Sequence, residues 1–185
     1  MKNTYLTGYL PFVAILLFGL SLSLYTQGLV LGLFKKVGLY NSMLEVFTET
    51  EMKLTIVAAL MLLFFMIFAT LKVIANTINE LSLLFFSKDT EGDLLKKVRS
   101  GSIVFFAGGL LSLISFSSAV GIITIFLLTT IGYFIYFVFK ISPDLTTANI
   151  VGIIAFQVVF WAALGTLLAL FVMKIYNGAL SSMPI

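Results

Sequence analysis

Four long apolar stretches, separated by short polar segments, dominate the pattern of hydrophobic and polar residues along this chain. The stretches cover about residues 8–34, 54–75, 103–139 and 150–173. Each is longer than the ~20 residues that an α-helix needs to cross the ~30 Å hydrocarbon core of a bilayer. The pattern therefore predicts an all-α integral membrane protein, a four-helix transmembrane bundle in which residues 1–185 form a single transmembrane domain.

The third stretch is unusually long. A continuous helix over 103–139 would measure roughly 55 Å at ~1.5 Å per residue, more than one crossing needs. No polar turn divides the stretch, but serines and a glycine at 115–121 make a weak point where a helix can kink or break. We expect one long helix, kinked or tilted. The alternative is a break and five spans, which would move the C-terminus to the other side of the membrane.

The connection between the second and third stretches is amphipathic rather than featureless. Polar and apolar residues alternate at helical spacing from Lys72 to Phe86, a polar turn covers 87–93, and a basic segment follows at 94–100. This pattern predicts a cytoplasmic helical hairpin over about 76–102. In an alternative arrangement, residues 78–86 lie along the membrane surface.

The first polar loop contains two possible capping boxes. Ser42 lies three residues before Glu45, and Thr48 lies three residues before Glu51. In a capping box these side chains satisfy free backbone groups at the start of a helix. The spacing predicts a short surface helix over 43–47 and a start of the second span at Thr48.

Basic residues are unevenly distributed between the two sides of a four-span arrangement. Positive residues favour the cytoplasmic side of a membrane, so both termini are expected in the cytoplasm. The side with both termini and the middle loop holds Lys2, Lys72, Lys88, Lys96, Lys97, Arg99 and Lys174, and the other side holds Lys35, Lys36, Lys53 and Lys140.

Composition narrows the chemistry available to the chain. It is 61% hydrophobic and only 10% charged, and it contains no histidine and no cysteine. Disulfides, thiolate zinc sites and imidazole bases are therefore excluded. The apolar stretches also contain no pair of carboxylates. We expect no catalytic residue, no cofactor, no metal site and no nucleic-acid partner, and hence no enzyme.

A polar stripe on the second helix is the strongest candidate for a functional site. At helical spacing its members fall within an arc of roughly 100°. Facing a cavity, they would bind a polar solute or an ion. Alternatively, the lysine extends to the lipid headgroups and the other members form the wet face of an interfacial helix. The stripe consists of Lys72, Asn76, Asn79 and Glu80.

Two glutamines are candidate intramembrane polar residues. Gln157 lies well inside the fourth stretch, and Gln27 lies near the end of the first. A buried amide in a membrane requires a hydrogen-bond partner, so Gln157 is interpreted as a link between helices or, alternatively, as part of a binding site. Trp161 lies one turn further on and is assigned to core packing, with cavity lining as the alternative.

Small residues recur on one face of each of the last two stretches. Such faces let helix backbones approach closely in a membrane. We expect the two faces to pack against each other, or alternatively to form a homodimer. They are Gly101, Gly108, Ser112, Ser115 and Ala119 on the third stretch, and Ala155, Ala162, Gly165 and Ala169 on the fourth.

A basic group precedes the third stretch. Lys96, Lys97 and Arg99 are candidates for contact with lipid headgroups, and they also act as determinants of orientation.

The segments Met1–Tyr9 and Ile78–Lys88 are similar to those of a family of small multi-span membrane proteins from Bacillus-type bacteria. That family is functionally uncharacterised. The resemblance implies a multi-pass protein of a bacterial cytoplasmic membrane, and it supplies no catalytic or binding residue.

These observations favour a non-enzymatic polytopic membrane protein, an accessory or regulatory subunit or a homo-oligomer that acts through helix–helix contacts. Its expected partners are the lipid bilayer and another membrane protein or a second copy. The alternative is a small oligomeric transporter or channel for a polar solute or an ion.

Overall fold

The computed structural model describes residues 4–89 and 91–181, and the regular elements in this part of the chain are helices. Lys2, which was counted among the basic residues that predict the orientation, lies outside the described residues. Single 3₁₀ turns occupy Arg99–Gly101 and Ser142–Asp144. The α-helices are α1 (Thr4–Val37), α2 (Leu39–Leu44), α3 (Glu49–Phe86), α4 (Asp93–Val98), α5 (Ser102–Ile114), α6 (Ala119–Ile141) and α7 (Thr147–Ser181).

Five helical segments of the described chain, rather than four, are long and apolar enough to cross a membrane. They are Gly8–Val37, Glu49–Phe86, Asp93–Ile114, Ala119–Asp144 and Thr147–Gly178. The expectation of one continuous helix over 103–139 is wrong, because α5 ends at Ile114 and α6 begins at Ala119.

The break between α5 and α6 has a local cause. The Ser118 Oγ accepts a hydrogen bond from the Gly121 N–H at 3.2 Å, which gives α6 an N-cap of its own. The chain also folds back tightly here, since a Cβ at Gly121 would collide with the Ser115 side chain. The Ser118 cap and the close approach at Gly121 therefore produce a break between two helices where the sequence predicted a kink.

The cytoplasmic hairpin over 76–102 is not confirmed. Residues 76–86 are the last turns of α3, and α4 leads through a 3₁₀ turn into α5, so that Asp93–Ile114 is itself a candidate span. Lys97 forms an ion pair with Asp144 at 2.7 Å. The connections 87–92 and 142–146 therefore lie at the same end of the bundle, whereas four spans would separate them. We call this the Lys97 end.

The helix directions follow from the same contacts. Gly8 lies beside the Arg99 guanidinium, so α1 starts at the Lys97 end. Helix α7 also starts there and runs away from it for 35 residues. Helix α1 therefore begins and α7 ends at opposite ends of the bundle, in contrast to the expectation that both termini lie on one side.

Two clusters of buried apolar residues hold the bundle together. The middle cluster is built on Phe18, Phe68 and Ile122, and joins α1, α3 and α6. The cluster at the Lys97 end joins α3, α4, α6 and α7 and contains Leu83, Leu94, Val98, Phe137, Ile141 and Ile153. Helix α7 joins this core through its first half only. Its residues from Gly165 to Gly178 are all exposed.

The first loop matches one of its two capping predictions. The Thr48 Oγ1 accepts from the Glu51 N–H at 3.3 Å, and the Glu51 carboxylate accepts from the Thr48 N–H at 2.9 Å, which confirms a helix start at this position. The second box, at Ser42, does not form. Helix α2 begins after Gly38, whose φ of 79° is readily adopted only by glycine, and it ends at Leu44.

Candidate functional site

The predicted polar stripe on α3 is divided between the interior and the surface. Asn79 is buried, Lys72 is half-buried, and Asn76 and Glu80 are exposed. The amphipathic pattern therefore continues to the end of α3, but only two members of the stripe reach the interior of the bundle.

A buried hydrogen-bonded group links α3 to α6 and α7. The Gln157 Nε2 donates to the Asn79 Oδ1 at 2.9 Å and lies 3.4 Å from the Ser82 Oγ. The Asn79 Nδ2 in turn donates to the Tyr133 hydroxyl at 3.4 Å. We call Asn79, Ser82, Tyr133 and Gln157 the amide cluster. It satisfies two buried amides by pairing them with each other, as a low-dielectric interior requires.

Lys72 lies next to the amide cluster without a carboxylate partner. Its Nζ is 5.7 Å from the centre of the Tyr133 ring, within the range of a cation–π contact. The ion pairs in the described part of the chain are Lys53–Glu49, Lys96–Asp93 and Lys97–Asp144, so none of them involves Lys72. A half-buried ammonium thus lies over an aromatic ring at the edge of the bundle interior, with no ion pair to a described residue.

Lys72 and three members of the amide cluster, Asn79, Tyr133 and Gln157, form one end of a cavity of about 500 Å³ between α1, α3, α5, α6 and α7, which we call the central cavity. Phe18, Phe68 and Phe126 line its apolar part, with centroid distances of 5.3 Å from Phe126 to each of the other two rings. Its polar lining is formed chiefly by Lys72, Asn79, Ser102, Thr130, Tyr133 and Gln157.

The central cavity is open sideways, between α6 and α7. Leu127 and Ile131 of α6 and Val158 of α7 line it, and these side chains are 54%, 55% and 57% exposed. In a bilayer such side chains contact lipid. Trp161, the single tryptophan of the chain, lies on the same wall. The opening lies just before the point where α7 leaves the core, since its residues from Gly165 to Gly178 are exposed.

A second cavity of about 240 Å³ adjoins the first at the Lys97 end, and we call it the outer cavity. Glu80 and Arg99 line it, which brings one more charge of each sign close to the opening. Pro11, Lys72, Asn79, Ser102 and Tyr133 line both cavities. Lys72 therefore lies at the boundary between a polar outer space and an apolar inner one.

The predicted headgroup residues have different surroundings. Lys96 pairs with Asp93 at 2.8 Å and Lys97 pairs with Asp144, whereas Arg99 faces the outer cavity. Upstream of them, the N–H of Leu94 and those of its preceding neighbours donate to the Asp89 carboxylate, which holds the pKa of Asp89 below its ordinary value. These contacts order the turn between α3 and α4 at the mouth of the outer cavity.

The two small-residue faces do not meet. In the 3₁₀ turn before α5, a Cβ at Gly101 would collide with Tyr133 and Tyr136, and on α5 a Cβ at Gly108 would collide with Thr129. The Ser112 Oγ is 2.8 Å from the Ser21 Oγ. The face on α5 therefore packs against α6 and α1, with Ser115 and Ala119 half-buried in and just after the α5–α6 turn. The α7 face, Ala155, Ala162, Gly165 and Ala169, is exposed.

The structure also brings in residues that the sequence argument missed. Ser82 and Tyr133 belong to the amide cluster, although neither is among the candidate residues predicted from the sequence. A phenol hydroxyl within an apolar helix needs a partner, and that requirement was the available signal. Gln27 is half-buried and makes no hydrogen bond to the described residues. Within those residues no group of three or more metal-ligating side chains comes together.

Comparison with known proteins gives a family and one full-length relative. Residues 27–184 match DUF5366, a family of unknown function. The chain is 42% identical to the uncharacterized membrane protein YufK of Bacillus subtilis (strain 168), over all 185 residues and the full length of that protein. No solved structure matches the chain.

Proposed function

We propose that the chain, which belongs to the DUF5366 family of unknown function, is a membrane-embedded binding protein for an amphipathic small molecule. The molecule enters the central cavity from the lipid phase, between α6 and α7. The observation that carries the proposal is the division of this cavity into an apolar part open to lipid and a polar end formed by Lys72 and the amide cluster.

The dimensions and the chemistry of the cavity support this function. Its volume lies within the ~300–1,000 Å³ of pockets that hold drug-sized molecules, and like them it is mainly apolar with a few convergent polar groups. A polar solute or an ion would leave the aromatic walls without a role. An amphipathic molecule matches both ends at once.

The proposal includes a non-enzymatic role. The polar end offers an ammonium, two amides, a phenol and hydroxyls, with no carboxylate or imidazole in the central cavity to act as a base. These groups are suited to recognising a head group by hydrogen bonds and charge.

Basic residues support an orientation in which the Lys97 end faces the cytoplasm, in a bacterial cytoplasmic membrane. With five crossings, more of the described basic residues lie at this end than at the other. The Lys97 end holds Lys72, Lys88, Lys96, Lys97, Arg99 and Lys140, and the opposite end holds Lys35, Lys36, Lys53 and Lys174. The outer cavity then opens towards the cytoplasm.

A second candidate function, that of an accessory subunit or homo-oligomer, is favoured by the second half of α7. Leu167, Phe171 and Ile175 are more than half exposed there, and the small-residue face beside them is uncovered. A partner helix would bury these residues. If the protein acts as such a subunit, the central cavity results only from the way α7 packs against the bundle, and no ligand is needed.

Trp161 provides the test, since it lines the central cavity and its fluorescence is not mixed with that of another tryptophan. The protein, reconstituted in nanodiscs of a zwitterionic phospholipid, is titrated with brominated single-chain amphiphiles, which quench indole fluorescence on contact. We expect saturable quenching.

The matched control moves the indole to the lipid-facing surface. The double variant Trp161→Phe/Phe139→Trp places it at a position that is 70% exposed on α6. Quenching of this variant should rise in proportion to the amphiphile dissolved in the bilayer. Proportional quenching of both proteins would reject a binding cavity and leave the subunit function.

A further inference from the structure

The position of Lys72 assigns a charge to the head group of the bound molecule. Its nearest carboxylate along α3 is Glu80, which lies eight residues away, or about 12 Å along the helix axis. Glu80 is exposed and lines the outer cavity only. Among the described residues that line the central cavity, none therefore provides a counter-charge for the Lys72 ammonium, which lies on its wall. An unpaired charge beside apolar walls is costly, and contact with an anion offsets that cost.

The groups around Lys72 fit a negatively charged head. In the adjoining outer cavity Arg99 and Glu80 contribute opposite charges, so Lys72 leaves an excess of positive charge among these groups. Tyr133, whose ring faces the Lys72 ammonium, provides a phenol hydroxyl. A cationic head would be repelled by Lys72. A neutral head would leave the ammonium unpaired, so charge complementarity selects an anion.

The apolar part of the cavity fits one hydrocarbon chain. From Lys72 the walls continue along Phe105 and Phe126 to the α6–α7 opening at Leu127. The volume is that of a drug-sized molecule, and the sideways opening lets the end of a longer chain remain in the bilayer. A flexible chain of this kind gains from burial against aromatic rings without requiring a further polar contact.

From these observations, and resting on the proposed binding function, we propose that the central cavity binds a single-chain amphiphile with an anionic head. The head group lies against Lys72 at the boundary of the two cavities, and the chain extends between the phenylalanine rings towards the gap between α6 and α7. A carboxylate on a free fatty acid and a phosphate on a one-chain phospholipid share this chemistry.

The experiment compares head groups on the same chain, with Trp161 quenching in zwitterionic nanodiscs as the readout. The probes are dibromostearate, its dibrominated alcohol, and a lysophosphatidate with the same brominated chain, each corrected for its partitioning into the bilayer. We expect at least one anionic probe to bind about tenfold more tightly than the alcohol, which corresponds to ~1.4 kcal/mol. A preference for the carboxylate probe indicates that the natural ligand is a free fatty acid, and a preference for the phosphate probe indicates a one-chain phospholipid.

Two variants connect this preference to Lys72. Lys72→Gln should remove the advantage of the anionic probes over the alcohol, and Lys72→Arg should retain it. Lys88→Gln is the matched control, since Lys88 is an exposed lysine at the same end of the protein and does not line either cavity. It should behave as the wild type.

The possible outcomes separate this inference from the proposed function. Saturable binding of acid, phosphate and alcohol with equal affinity, or an anion preference that survives Lys72→Gln, would overturn the role of the anionic head and leave the binding cavity intact. The head-group comparison on the wild type decides the matter even if Lys72→Gln fails to fold. An absence of saturable quenching by every probe would reject the proposed function itself.

Discussion

At the residue scale, Gln157 is a buried polar side chain that connects two helices of the bundle. It holds α7 to α3 through the Asn79 side chain, and both residues are less than a tenth exposed. Removing one partner of such a pair leaves the other buried without a hydrogen bond, which costs more than the net value of the bond itself.

Gln157→Leu should therefore destabilise the protein by roughly 1–2 kcal/mol, because the Asn79 Oδ1 loses its hydrogen-bond donor in an apolar interior. Unfolding in mixed detergent micelles, followed by far-UV circular dichroism, measures the change. Gln27→Leu is the matched control, as that glutamine is half-buried and makes no hydrogen bond to the described residues. Equal stabilities of the two variants would show that the amide cluster does not contribute to folding.

Single residues also show what a sequence can and cannot reveal. Thr48 was predicted correctly as a helix start because a capping box is local, with both partners three residues apart. The Asn79–Gln157 contact joins residues 78 positions apart, and no local rule could pair them. Both side chains were identified as candidates by their polarity, but their pairing and the contribution of Tyr133 depend on how three helices pack.

At the element scale, the serines and glycines of α5 and its turn decide the helix count. The sequence located the weak point at 115–121, but a kinked helix and a break differ in energy by only a few local hydrogen bonds. The break is favoured because Ser118 caps α6 and because Gly121 lets Ser115 pack closely. The small-residue face of α5 then packs against α1 and α6, its neighbours in the fold, rather than against α7.

Gly108→Ala should destabilise the α5–α6 pair by roughly 1–3 kcal/mol, since the new Cβ would collide with the Thr129 side chain. The same unfolding measurement applies. In Gly132→Ala, the matched substitution on α6, the Cβ would meet the Val104 side chain at an ordinary 3.7 Å. That variant should be neutral or slightly more stable, because alanine is the better helix former. If Gly108→Ala were as stable as Gly132→Ala, close packing at this position would be disproved.

At the scale of the whole molecule, the apolar pattern was sufficient to predict a helical membrane protein but not its topology. Hydrophobic length cannot distinguish one long tilted helix from two shorter ones. The decisive contact is the ion pair between Lys97 of α4 and Asp144, which lies between α6 and α7. Four spans would have placed these two residues on opposite sides of the membrane. The central cavity is also a property of the whole fold, since five helices contribute to its lining.

The five-span arrangement predicts the accessibility of single cysteines, and the chain has no natural cysteine to interfere. In intact cells, a membrane-impermeant maleimide should label Ser117→Cys and Asn177→Cys but not Lys88→Cys, which should react only after permeabilisation. Four spans would be supported if Ser117→Cys failed to react while Lys88→Cys and Asn177→Cys reacted under the same condition, which would place positions 88 and 177 on the same side of the membrane. The complete reverse pattern would retain five spans and invert the proposed orientation.

The partial attachment of α7 has a mechanical consequence. A helix anchored at one end and free at the other is a lever, and the mismatch between its hydrophobic length and the bilayer sets the tilt of its free arm. The anchored half carries Val158 and Trp161 on the wall of the central cavity, so a tilt of the arm that follows the thickness of the surrounding membrane is transmitted to that wall. Access to the interior of the protein is therefore governed by the mechanics of the bilayer as well as by the chemistry of the cavity walls.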